Sequence, residues 1–160
     1  MNEQYETYEG GCGCRDIRYQ MTSRPMFVHC CHCSWCQRES GSAFVINALI
    51  EADRVNVLHG RPEIIDTPSA SGDGQKIARC PKCKIAVWSN YSQAGEVTKF
   101  VRVGALDDPN QTPPDIHIFT STKQAWIQLP SETPVVAEFY SARKYWPEES
   151  LSRAQANASP

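Results

Sequence analysis

From Ala43 to Ile50 the chain reads Ala-Phe-Val-Ile-Asn-Ala-Leu-Ile, seven apolar residues in eight. A run this short and this continuous predicts a strand in the middle of a sheet. Shorter segments carry the alternation of half-buried strands. Ile17–Met21 and Arg54–Leu58 alternate apolar and polar side chains, and His59-Gly60 makes a turn after the second. Met26-Phe27-Val28, Ile85–Trp88 and Val97–Val103 read as further strands, and Pro113-Pro114 introduces the apolar stretch Ile116–Phe119. Trp126–Leu129 and Val135–Phe139 are later apolar pieces, whereas residues 61–74 are poor in apolar side chains and end in the loop Ser71–Gly74. Helix signals are sparse. Gln37–Ser40 predicts a single turn stopped by Gly41, and from Pro147 onward the polar, Ala- and Ser-rich chain reads as a frayed tail or an exposed helix. Eight or nine short strands, with no repeat and no dividing linker, make a mostly β single domain over residues 9–146. A flexible segment over 1–8 precedes it and a polar tail over 147–160 follows.

Composition changes this picture little. At 160 residues the chain is long enough for one hydrophobic core, and its eleven prolines and nine glycines favour strands and turns. The formal net charge of −2, with both signs interspersed, leaves no footprint for nucleic acid or an anionic membrane. Residues 1–10 are polar and acidic, and no apolar run approaches the length of a membrane span. A reducing cytoplasm is therefore expected, where eight cysteines serve as metal ligands or reactive thiols rather than as disulfides.

The cysteine spacing changes it most. Four of the eight fall within Cys30–Cys36, and Cys31, Cys33 and Cys36 form C-x-C-x-x-C. In extended chain, residues two apart share a side, so Cys31 and Cys33 present their sulfurs together and a tight turn returns Cys36. Cys12 and Cys14 form a second C-x-C among glycines, and Cys80-Pro81-Lys82-Cys83 is a C-x-x-C knuckle. Two pairs close a tetrahedron of thiolates, while the triplet is one ligand short. The simplest allocation is a structural zinc on Cys12, Cys14, Cys80 and Cys83, and an open, catalytic zinc on Cys31, Cys33 and Cys36.

Gly10-Gly11-Cys12-Gly13-Cys14, Cys31-His32-Cys33-Ser34-Trp35-Cys36 and Ser40-Gly41-Ser42-Ala43-Phe44 together resemble the glutathione-dependent formaldehyde-activating enzyme family. That family also includes the centromere protein V domain. Cys80–Cys83, Val103–Asp107, Pro114, His117 and Trp126 follow in the same order and character, so the resemblance covers about residues 8 to 140. It implies a β-tent zinc fold of short antiparallel strands, two zinc ions per chain, and chemistry on thiol–aldehyde adducts. Glutathione and formaldehyde are the implied partners and S-(hydroxymethyl)glutathione the implied adduct, in a carbon–sulfur lyase of formaldehyde detoxification. Lys84 departs from the pattern, standing where a glycine suits a left-handed backbone.

Other side chains carry two readings each. Alternation points Cys30 away from Cys33, as a buried thiol rather than a substitute for Cys31, and points His32 away likewise, as a structural or surface histidine. His29 is either a donor behind the triplet or a packed strand residue. His117, alone among apolar neighbours, either contacts the substrate in a catalytic role or is a satisfied core histidine. Arg143-Lys144 reads as solvated. The competing function is a non-catalytic zinc module that binds protein. A nucleic-acid version of it requires a basic stripe, which this chain lacks.

Overall fold

In a computed structural model, which describes residues 6–159, ten strands form two sheets with few helices. Strand β1 (Tyr8–Gly11), β2 (Arg18–Met21) and β5 (Val55–His59) make a three-stranded antiparallel sheet in the order β1-β2-β5. The larger sheet contains β3 (Phe27–Cys31), β4 (Val45–Glu51), β6 (Glu63–Thr67), β7 (Gln75–Arg79), β8 (Ala86–Tyr91), β9 (Thr98–Arg102) and β10 (Ile116–Ile118). Its order is β10-β3-β4-β9-β8-β7-β6, so the long apolar run does form an interior strand. Of the N-terminal segment assigned to residues 1–8, residues 1–5 lie outside the described residues, and Tyr8 opens β1.

The two faces of the large sheet bury different things. On one face, Val28, Ala48, Ile50, Val101 and Trp88 meet Ile17, Tyr19, Met21 and Val55 of the small sheet. Tyr19 sets its edge against the Trp88 ring with centroids 5.5 Å apart, a favourable aromatic geometry. On the other face, Phe27, Val45, Ile116 and Ile118 pack with Cys31, Cys33 and Cys36 and with the later aromatics Tyr140, Tyr145 and Trp146. Gly11 is where the turn from β1 to β2 closes tightly: a Cβ there would stand 2.1 Å from the Ile17 carbonyl oxygen.

Three features depart from the sequence pattern. Strand β10 runs parallel to β3, not antiparallel. A long connection delivers it, and parallel pairing requires such a crossover rather than a hairpin. Strand β6 lies in the stretch poor in apolar residues. It is an edge strand, held by its ladder to β7 more than by burial. Val135–Phe139, in contrast, makes one isolated bridge, Val135 to His117, and a few backbone bonds such as Val136 N–H to the His117 carbonyl at 3.0 Å. Pro134, with no N–H to donate, helps keep this segment from becoming a regular strand. Trp126–Leu129 joins no strand.

After a short helix α2 (Ala142–Tyr145), residues Glu148–Ala158 form a helix, so the frayed-tail reading of residues 147–160 gives way to the helical one. The helix is docked on one side. Ser150 Oγ donates to the Met26 carbonyl at 2.6 Å, and Arg153 forks onto Glu51 with bonds of 2.8 and 2.6 Å.

Candidate metal centres

All eight cysteines are free thiols, and seven of them gather in two groups. Cys12 and Cys14 leave β1 on the glycine-rich turn, and Cys80 and Cys83 form the turn between β7 and β8. All four sulfurs lie within 4.8 Å of one another, with Cys12 and Cys14 at 3.5 Å and Cys14 and Cys80 at 3.6 Å. A zinc–sulfur bond of about 2.3 Å places tetrahedral sulfurs about 3.8 Å apart, so this group is close to the size the ion requires. Backbone N–H groups already point at the sulfurs: Ile17 donates to Cys12 at 3.3 Å and Cys83 to Cys80 at 3.5 Å. Backbone donors led by Ile85 draw the Cys83 thiol down to about 6, which favours the thiolate a metal needs. The knuckle closes through Lys84, whose φ of 62° is the left-handed conformation that its position demands.

The triplet is built locally. Strand β3 ends at Cys31, and Cys33 caps the helix α1 (Ser34–Ser40), which carries Cys36 one turn in. The backbone N–H of Cys36 donates to Cys33 Sγ at 3.3 Å. Gly41, at φ 69°, ends the helix in the left-handed conformation, and Ser40 Oγ donates to the Cys36 carbonyl at 2.8 Å. The three sulfurs converge within 4.8 Å and all three residues are buried. Hydrogen bonds from Cys31 and Cys36 pull the Cys33 thiol down to about 2, while its bond to Cys33 pushes Cys31 strongly up. One sulfur thus takes the negative charge and the others donate to it. A group that concentrates charge in this way, one donor short of a closed tetrahedron, suits zinc.

On the opposite face of β3 lies a third group. Cys30 and His117 are register partners, and His32 Nε2 stands 2.9 Å from His117 Nδ1 and 3.5 Å from Cys30 Sγ. His117, the sequence candidate for substrate contact, therefore sits with Cys30 and His32 and not with the triplet. His32 is fully buried; burial lowers its ring to about 4 and lowers His117 as well, disfavouring the charged forms. The main chain at His32 is anchored from outside: its carbonyl accepts from Gln37 Nε2 at 2.8 Å and from Thr122 Oγ1 at 3.1 Å. His29 packs between Phe27 and Tyr140, and its Nε2 meets the Tyr140 hydroxyl, which also accepts from Trp146 Nε1 at 2.7 Å.

Beside the four-cysteine group opens a cavity of about 570 Å³ that reaches the residues packed on the triplet. Ser40 and Val45 line it beside the triplet, Cys12 lines it beside the other group, and Arg15, Arg18 and Arg102 give it positive charge. Arg102 is the residue the sequence did not single out. Its signal was one of two cations, with Lys99, inside the strand Val97–Val103, and only the fold shows where it faces.

The chain was compared with known proteins. No curated protein matches it. A solved structure of a Rhodobacter sphaeroides protein is 16% identical, with 80% of this chain and 99% of that one covered and a TM-score of 0.48. The sequence model described as glutathione-dependent formaldehyde-activating enzyme matches residues 7–122, more than two-thirds of the chain and all seven clustered cysteines, and the protein belongs to that family.

Proposed function

We propose that the protein is a zinc-dependent carbon–sulfur lyase acting on adducts between a thiol, glutathione or a relative of it, and formaldehyde or another small aldehyde. The observation that carries this reading is the contrast in donor number: four converging thiols in one group, and three in the other. Two zinc ions per chain, one in each group, follow from that count.

Zinc on Cys31, Cys33 and Cys36 would supply an open coordination position and lower the pKa of an incoming thiol. The chain's own residues do the rest. The cap between Cys33 and Cys36, the Gly41 stop and the Ser40 bond hold the three sulfurs in one fixed triangle. Burial of all three removes water that would compete for the position. Val45 and Ser40 form the wall along which the second reactant approaches. In the forward direction the thiol sulfur bonds to the aldehyde carbon, and the thiol proton ends on the aldehyde oxygen. In reverse the hydroxyl proton returns to sulfur as the carbon–sulfur bond breaks. No oxidant or co-reactant enters. His117 and His32 support the chain that carries the triplet from the other face of β3, a positioning role.

The test is the exchange rate between glutathione, formaldehyde and S-(hydroxymethyl)glutathione, followed by NMR with zinc-loaded protein. Acceleration over buffer that saturates with glutathione is expected. An exchange rate equal to that of buffer alone would overturn the reading.

A further inference from the structure

Arg102 is 8% exposed, yet among the described residues no carboxylate lies within ion-pair distance of it. Its partners are neutral. Nη1 donates to Asn47 Oδ1 at 2.6 Å and Nη2 to Ser89 Oγ at 3.1 Å. A guanidinium carries five N–H donors, so three are left over. Arg18 and Arg153 show what this chain does elsewhere: each is matched to carboxylates, Arg18 to Asp107 and Glu9, Arg153 to Glu51. The Cys36 thiol lies close enough to feel its charge, but a buried cation whose hydrogen-bond partners are all neutral still has donors for something of opposite charge.

Its location says what that is. Arg102 is the register partner of Asn47, which is two residues from Val45, the register partner of Cys31. Register partners and residues two apart share a face, so Arg102 and Cys31 stand on the same side of the large sheet. Arg102 also lines the cavity that Ser40 and Val45 border beside the triplet. Arg18 borders the same space but is committed to Asp107, and Arg15 is exposed. Arg102 and the residues that pack directly on the triplet, Ser40 and Val45, therefore face one cavity. Asn47 and Ser89 fix the plane of the guanidinium, the arrangement suited to two parallel bonds with a carboxylate.

From this geometry we infer that Arg102 anchors a carboxylate of the thiol substrate, so that the site selects acidic thiols over neutral ones. The inference rests on the proposed function for the thiol's destination, but the anchor can be measured without the reaction. An arginine that only balanced the charge of the three thiolates would act equally on every thiol.

The probe is S-methylglutathione, whose sulfur is capped and forms no adduct, compared with its dimethyl ester by calorimetric titration of zinc-loaded protein. The wild type is expected to bind the acid about tenfold or more tightly than the ester. In Arg102→Met the acid weakens by about that factor and the ester is unchanged, with zinc content and melting curve reporting the fold. If Arg102→Met does not fold, Arg102→Lys carries the test, because an ammonium keeps the charge but loses the fork. The acid should then bind roughly threefold or more weakly. Equal affinity for acid and ester in the wild type, no binding of either, or an acid affinity indifferent to both substitutions would overturn the anchor. Acid binding through Arg102 without acceleration of adduct exchange would overturn the proposed reaction and leave the anchor standing.

Discussion

The two cysteine groups use the same ligand chemistry but are assembled in opposite ways. The group of four joins residues 66 positions apart in sequence, Cys14 and Cys80, and links the small sheet to the turn between β7 and β8. Cys14 is exposed and Cys83 half-buried, so the group lies close to the surface. The triplet comes from six consecutive residues, is wholly buried and lies behind Ser40 and Val45, which line the cavity. A group that spans the fold and fills its own coordination is suited to holding sheets together. One built locally, with a donor missing, frees the surrounding structure from depending on its ion. The same element can thus serve stability at one place and chemistry at another.

The harshest way to break this contrast is Cys80→Ser. Cys80 is fully buried, and structural zinc contributes on the order of 10 kcal/mol in small modules. The variant should lose its zinc and fail to show a cooperative melting transition by circular dichroism. Cys33→Ser should do the reverse, lowering the adduct exchange rate by about 100-fold or more, with a cooperative transition retained. Loss of folding in both variants would erase the distinction. His117→Ala sharpens it from the other face of β3. Removing His117 leaves the buried His32 Nε2 only the weak Cys30 sulfur as partner, at a cost of about 1–3 kcal/mol in chemical denaturation. Its exchange rate should stay within about threefold of the wild type, because the group lies on the face of β3 away from the triplet. The smallest effect is expected at Lys84→Gly. Relief of the left-handed strain in the knuckle should stabilise the fold by about 0.5–1 kcal/mol, less the exposed pair with Glu63, read as a slightly higher melting temperature.

Much of this arrangement was legible in the sequence because its signals are local. C-x-C and C-x-x-C spacings fix which sulfurs can meet, and the Ala43–Ile50 run, apolar but for Asn47, had to lie inside a sheet. Alternation alone sent Cys30 and His32 to the side away from Cys31, where the structure has them. The left-handed backbone at Lys84 was also readable, from the geometry of the knuckle.

What escaped depends on distant partners. His117 sits in an apolar triplet that suits any buried strand, and only the parallel pairing of β10 with β3 decides which face it shares. Strand β6 has almost no apolar alternation, since a ladder to β7 defines it. The helix after Pro147 looks like a solvated tail until Glu51, about a hundred residues earlier, is set against Arg153. Arg102 looked like one cation among many, because whether a guanidinium finds a carboxylate is a property of the folded surroundings.

The most direct test of the division of labour is a stepwise titration of zinc-loaded protein with a weak chelator, following bound zinc, adduct exchange and the melting transition together. The account predicts that the first equivalent of zinc removed carries all the exchange activity with it, while the melting transition persists. Loss of the melting transition together with that first equivalent, or activity surviving its removal, would contradict the account.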